Sequence, residues 1–163
     1  MPLFYLALIY NLILMLKNLL VVSLTFLLLI SCTASKPSKS DQGIQGKVLW
    51  IEGNQMPGPN KEADSGSPII REIHIYPLIK LSDLQRVGSL FSAPDQSPVM
   101  VVTSNTSGEF KAQLEPGTYS IMTKEGNGFF ANSFDGKNNI MPVRVEQETY
   151  TDVTITVNYK ASY

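Results

Sequence analysis

The sequence predicts an all-β domain over residues 43–163, built as an antiparallel β-sandwich of seven to eight strands. Two observations carry this prediction. Apolar and polar residues alternate with a period of two in most segments, which is typical of half-buried strands. Clusters of Gly, Pro, Asn and Ser separate these segments at spacings of roughly 8 to 12 residues, which favours a sandwich over a helical fold.

The first half of the domain contains two clear strands. Ile44–Trp50 alternates in polarity, and Ile69–Leu78 places Ile73 and Ile75 on one face. Proline cannot donate to a β-ladder, so Pro77 is expected to end the second strand or to place it at a sheet edge. We expect Ile73 and Ile75 to face the core.

Residues 81–91 form the one candidate for a helix. Leu81, Leu84 and Val87 follow helical spacing, and Ser82 is a candidate N-cap. The alternative is a loop that carries a short turn.

Apolar and polar residues alternate more regularly in the second half of the domain, and its last strand is rich in β-branched residues. The predicted strands are Val99–Thr103, Glu109–Leu114, Thr118–Thr123, Ile140–Val145 and a C-terminal run through Ile155 and Val157, with Gly128–Phe134 as an eighth if it pairs.

Three short motifs carry a family resemblance. They are Ile44-Gln45-Gly46-Lys47-Val48, Gly108-Glu109-Phe110 and Leu114-Glu115-Pro116-Gly117-Thr118-Tyr119-Ser120-Ile121. Together they resemble the carboxypeptidase regulatory-like domains, which are prealbumin-type (transthyretin-like) β-sandwiches. The resemblance implies the fold more than an activity, because functional sites are grafted onto folds.

The N-terminal segment ends in Leu29-Ile30-Ser31-Cys32, which contains the single cysteine of the chain. This arrangement resembles a bacterial lipoprotein signal with its lipobox. The resemblance implies that residues 1–31 are a signal peptide and that Cys32 receives a diacylglycerol on its thiol and a fatty acid such as palmitate on its amine. Residues 32–42 would then be the lipidated cysteine and a flexible tether.

Lys17 precedes the apolar run of residues 19–30 and supplies the positive charge that a signal peptide has before its apolar region. We therefore expect translation to start at Met15. The competing interpretation is a transmembrane anchor, since about 18 or more apolar residues can span a bilayer.

Charge and cysteine content limit the partners of the chain. It carries 13 Lys and Arg against 14 Asp and Glu. This near-neutral balance does not predict the basic surface that binds nucleic acid. A single cysteine excludes an internal disulfide framework. The lipoprotein resemblance implies the bacterial cell envelope, and Thr33 in place of an aspartate after the cysteine is compatible with the outer membrane.

Catalytic residue types are scarce. His74 is the only histidine, and a zinc hydrolase or a serine nucleophile needs more partners than it offers. Alternation places it on the same face as Glu72 and Tyr76. We expect His74 on the solvent-facing side of its strand, and Tyr76 in the core or in a cross-strand pair. We therefore predict a non-catalytic protein without a metal or cofactor site, and a hydrolase that depends on His74 is the last alternative.

The segment Gly126–Gly136 combines three phenylalanines with amides and glycines. Aromatic rings beside amides can stack on and hydrogen-bond a sugar or a peptide. The predicted contact residues for an envelope protein or a glycan are Phe129, Phe130, Asn132, Phe134 and Asp135. The competing interpretation is that the phenylalanines plug the end of the sandwich.

Overall fold

The structure is a computed structural model that describes residues 9, 10, 12–18, 41–58 and 64–163. The chain divides into two units, Met1–Lys39 and Ser40–Tyr163. In the first unit, the described residues 9, 10 and 12–18 are helical. None of the helical residues described belongs to a helix long and apolar enough to cross a bilayer. Cys32 and the motif before it lie outside the described residues.

The second unit is built from strands and one short 3₁₀ turn. In chain order, the described elements are β1 (Gly43–Asn54), β2 (Ser67–Pro68), β3 (Glu72–Pro77), the 3₁₀ turn (Leu81–Asp83), β4 (Arg86–Val87), β5 (Leu90–Phe91), β6 (Met100–Thr103), β7 (Glu109–Gln113), β8 (Gly117–Glu125), β9 (Gly128–Phe130), β10 (Pro142–Val145) and β11 (Tyr150–Ser162).

These strands form two sheets. The first has β1 between β11 on one side and β2 and β7 on the other. The second runs β4-β5-β9-β8-β3-β6, and β10 pairs with β8 beside β9. The predicted all-β sandwich is confirmed, and the strand count exceeds the prediction because short pairs such as β2 and the β4–β5 hairpin have too few residues to show alternation.

One strand pair departs from the antiparallel pattern. The first and last strands, β1 and β11, run parallel, with Ile44 opposite Thr151 and Val48 opposite Ile155. Gly46 allows the close approach, since a Cβ at this position would lie 1.7 Å from the carbonyl oxygen of Val153.

Two turns that carried the sequence motifs are fixed by hydrogen bonds. The side chain of Asn105 accepts from the backbone N–H groups of Ser107 and Glu109, both at 2.9 Å. The hydroxyl of Tyr119 donates to the carbonyl of Glu115 at 2.9 Å. The L-x-P-G-x-Y pattern therefore describes a turn that its own tyrosine closes.

The main core lies between the two sheets. Ile73 and Ile75 are fully buried, as predicted, and Ile121 on β8 lies opposite Ile75. From the first sheet, the buried side chains that complete this layer are Ile44, Val48, Phe110, Ala112, Ile155 and Val157.

A second apolar layer covers the other face of the second sheet. Tyr76 is 2% exposed there, as expected for a core residue, although it lies on the face of β3 opposite Ile73 and Ile75. Its ring lies 6.3 Å from that of Phe129, and the backbone N–H of Ile79 donates to Ser120 at 3.0 Å. The chain after β3 therefore folds back over the sheet.

The covering segment is not a helix. A single 3₁₀ turn begins after Lys80, which stands at the N-cap position in place of the predicted Ser82, and the β4–β5 hairpin follows. Phe91 packs into the covered face and is 2% exposed. The loop alternative is therefore the one confirmed. Leu81, Leu84 and Leu90 pack against the core from a turn and a hairpin, whereas Val87 is 69% exposed.

Candidate functional site

An open groove lies where three parts of the domain meet: the β4–β5 hairpin, the connection after β9, and the end of β11. We call it the end groove. It is lined by Arg86, Ser89, Phe130, Ala131, Asn132, Phe134, Asn158, Tyr159, Ala161 and Tyr163.

Two aromatic rings of the end groove are open to solvent. Phe134 is 43% exposed and Tyr163 is 72% exposed. The ring of Phe134 packs edge-on against the buried ring of Phe91, with the ring centroids 6.2 Å apart. Exposed rings held in place by a packed neighbour provide contact area at a low entropic cost.

Two asparagines lie beside these rings. Asn132 Nδ2 donates to the carbonyl of Thr156 on β11, and Asn158 Nδ2 donates to the hydroxyl of Tyr163, both at 2.8 Å. A side-chain amide has two donor hydrogens and an acceptor oxygen, so each retains capacity for a ligand. These bonds fix the orientation of both amides, and the remaining donor and acceptor capacity of the amides gives the groove polar groups for a ligand.

Arg86 supplies the charge. Its side chain is exposed, its Nε donates to the carbonyl of Gly88 at 3.2 Å, and its guanidinium carbon lies 5.8 Å from the centre of the Phe91 ring. Within the described part of the chain, no carboxylate forms an ion pair with it. Arg86 is thus a cation beside aromatic rings.

The inner wall of the groove is fixed by a buried carboxylate. Tyr159 donates its hydroxyl to Glu125 at 3.2 Å, and Glu125 is paired with Arg71 at 2.9 Å. Burial raises the pKa of the Tyr159 hydroxyl, and the neighbouring Glu125 carboxylate raises it further. Tyr159 therefore stays neutral and donates to Glu125.

A tight turn positions Phe134. Asp135 accepts from the backbone N–H groups of Lys137 and Asn139, both at 2.8 Å, and from Asn139 Nδ2 at 2.6 Å. These bonds, the Asn139 side chain first, lower the pKa of Asp135. Asp135 was predicted as a contact residue, and its carboxylate here is engaged in holding the turn.

Phe129 and Phe130 need a correction as contact residues. Both are 5% exposed. Phe129 packs against His74 with ring centroids 5.0 Å apart, and Phe130 packs against Tyr159 at 5.6 Å. They lie on opposite faces of β9 and fill the two apolar layers. Phe130 lines the end groove as a buried residue, so Asn132 and Phe134 are the exposed side chains that this segment gives to the groove.

His74 lies in a short polar row along β3. Its Nε2 is 2.5 Å from a carboxylate oxygen of Glu72, and its Nδ1 is 3.3 Å from the hydroxyl of Tyr76. Phe129 covers the ring, and the side chain is only 15% exposed instead of facing solvent as expected. Both nitrogens have partners from the same strand.

A broader depression runs along the first sheet, where Lys47 is paired with Glu109 at 3.5 Å and Gln45 donates to Asp152 at 3.0 Å. These charged and amide side chains pair with one another, and Lys111 lies over the ring of Tyr150. This surface is a solvated sheet face. No group of three or more His, Cys, Asp or Glu in the described ranges could hold a metal ion.

Sequence reasoning found Asn132 and Phe134 and missed Arg86, Asn158 and Tyr163. The missed residues lie on β4 and β11, far from Phe134 in sequence, so no local pattern joins them. An aromatic at position 163 after a regular strand was the only available signal. Comparisons of the chain with protein-family models, curated proteins and solved structures find no match.

Proposed function

We propose that this protein is a lipid-anchored, non-catalytic lipoprotein of the bacterial cell envelope, with a carboxypeptidase regulatory-like (transthyretin-like) sandwich that binds a partner in the end groove. The observation that carries the binding role is the end groove itself. It combines two exposed rings, two oriented amides and a cation without a carboxylate partner in the described chain.

The anchor rests on the lipobox-like Leu29-Ile30-Ser31-Cys32 and on the polar residues that follow it. Two or three acyl chains hold a protein stably at a membrane, since each buried methylene contributes about 0.8 kcal/mol and one chain alone is marginal. The outer membrane is the proposed location.

The absence of a catalytic role is supported by the environment of His74. A general base has to reach a nucleophile or a water molecule. The nitrogens of His74 instead contact Glu72 and Tyr76, and Phe129 covers its ring. These contacts hold the His74 ring along β3 and against β9.

Membrane fractionation and intact mass of the wild type and of Cys32→Ala test the anchor. The wild type is expected in the membrane fraction with the added mass of its lipid, and Cys32→Ala is expected to lose both. A wild type that keeps residues 1–31 and carries no lipid would contradict the anchor.

Copurification from crosslinked cells tests the groove. The wild type and Val101→Ala, whose side chain is exposed on β6 and 44% accessible, are expected to retain the same envelope component. Phe134→Ala is expected to lose it. Equal recovery with Phe134→Ala and with Val101→Ala would contradict a binding role for the groove.

A glycan is the second candidate for the ligand, favoured by the exposed rings beside amides. It would make the protein a carbohydrate-binding accessory lipoprotein. The component that copurifies in a Phe134-dependent manner distinguishes a protein partner from a glycan.

A further inference from the structure

The side chains of the end groove are of three chemical kinds. Phe134 and Tyr163 are the exposed rings, Asn132 and Asn158 are the amides, and Arg86 lies at the hairpin side. Rings contribute dispersion and stacking, amides hydrogen-bond neutral polar groups, and a guanidinium pairs with an anion. A ligand that matches all three needs an apolar face, hydroxyl groups and a negative charge.

We propose that the end groove binds a glycan that contains an acidic sugar, in which the carboxylate of a uronic acid pairs with Arg86. This inference rests on the proposed function of the groove. The pyranose ring presents C–H groups to Phe134 or Tyr163, and its hydroxyls reach the amides of Asn132 and Asn158.

The charge of the groove supports an anionic ligand. None of its lining residues carries an acidic side chain, and in the described ranges Arg86 has no ion pair of its own. Arginine binds a carboxylate through two parallel hydrogen bonds, which gives direction as well as attraction. Its contact with the Phe91 ring keeps the guanidinium near the aromatic wall.

An extended acidic peptide is the competing occupant, because it also has a carboxylate. β11 is an end strand of its sheet in the described chain, so its outer edge offers backbone groups to a peptide. The side chains of the groove favour a sugar, since two separate amides lie beside exposed rings. One backbone acceptor on this edge of β11, the carbonyl of Thr156, is already engaged by Asn132. A strand added along this edge would lose that bond.

The test is calorimetry with the full chain in detergent. The probes are a uronic acid tetrasaccharide, the same tetrasaccharide with its carboxyl groups reduced to alcohols, and a tetraglutamate peptide. The wild type is expected to bind the acidic sugar about tenfold or more tightly than the reduced one, as expected for the loss of a charge-assisted pair.

Variants separate the roles of the charge and the rings. Arg86→Gln is expected to weaken binding of the acidic sugar about tenfold and binding of the reduced sugar by much less, so that the preference disappears. Phe134→Ala is expected to weaken binding of both sugars. Arg144→Gln is the matched control. Arg144 is an exposed arginine on β10, outside the end groove, and it pairs with Glu146. It should change neither affinity, and thermal unfolding should show all variants folded.

The proposal is overturned if the two sugars bind equally, if Arg144→Gln weakens binding as much as Arg86→Gln, or if only the peptide binds. A negative result for the acidic sugar does not by itself exclude a binding role for the groove. A component whose copurification still depends on Phe134 would keep the groove as a binding site for another ligand, whereas no such dependence would end both.

Discussion

Glu125 carries a buried carboxylate, which needs partners to offset the cost of removing its charge from water. Glu125 has a side chain that is 2% exposed, and it is satisfied by Arg71 at 2.9 Å and by Tyr159 at 3.2 Å. Removal of one partner from a buried ion pair leaves an uncompensated charge, which costs more than the pair itself contributes.

Arg71→Met should therefore destabilise the domain by about 2 kcal/mol, below the usual loss for a fully buried pair because Arg71 is 26% exposed. Urea unfolding of the wild type and the variant measures this loss. The double variant with Glu125→Met should lose less than the sum of the two single variants. An unchanged urea midpoint for Arg71→Met would contradict this role of the pair.

The turn that carries Phe134 should depend on pH. The pKa of Asp135 is lowered by its bonds to Asn139 and Lys137, below the ordinary value of 3.8. A carboxyl group whose pKa is lowered in the folded state stabilises the fold at pH values above its ordinary pKa. This contribution is lost as the pH falls through the folded-state pKa. The backbone amide signals of Lys137 and Asn139 in NMR spectra should therefore shift with a midpoint below 3.8. Midpoints at or above 3.8 would show that the turn does not rest on this carboxylate.

At the scale of elements, β9 and the connection after it divide one cluster of phenylalanines between two tasks. Phe129 is buried against His74 and Tyr76 of β3, whereas Phe134 contacts Phe91 and stays open to the groove. Burial of a large ring stabilises the fold, and exposure leaves a ring for a ligand.

Phe129→Ala should therefore cost about 3–5 kcal/mol of the free energy of unfolding, the usual range for a buried phenylalanine. Phe134→Ala should cost about 1 kcal/mol or less and should instead weaken ligand binding. Denaturant unfolding combined with copurification measures both effects for each variant. Similar stability losses for the two variants would contradict this division.

Local patterns predicted the elements that alternate regularly. Ile73 and Ile75 face the core as expected, and the Pro116-Gly117 turn lies before β8 as its residues indicated. His74 was expected to face solvent, and its side chain is instead 15% exposed. Alternation shows which face of the sheet a side chain takes. It does not show that another segment will cover that face.

At the scale of the molecule, the pairing of β1 with β11 joins the two ends of the domain, and no local signal predicts it. The same long-range arrangement brings β11 beside the hairpin that carries Arg86, and so it assembles the end groove. The sequence could therefore indicate one wall of the site, through Asn132 and Phe134. The opposite walls depend on topology.

The anchored protein is proposed to meet its partner through this groove, and site-specific photocrosslinking in intact cells tests that contact most directly. A photoreactive phenylalanine analogue replaces Phe134 in one strain and Val101 in another, since these side chains are 43% and 44% exposed. We expect a discrete adduct, with a protein or a glycan, from position 134 and none from position 101. Equal adducts from both positions, or adducts only from position 101, would contradict it.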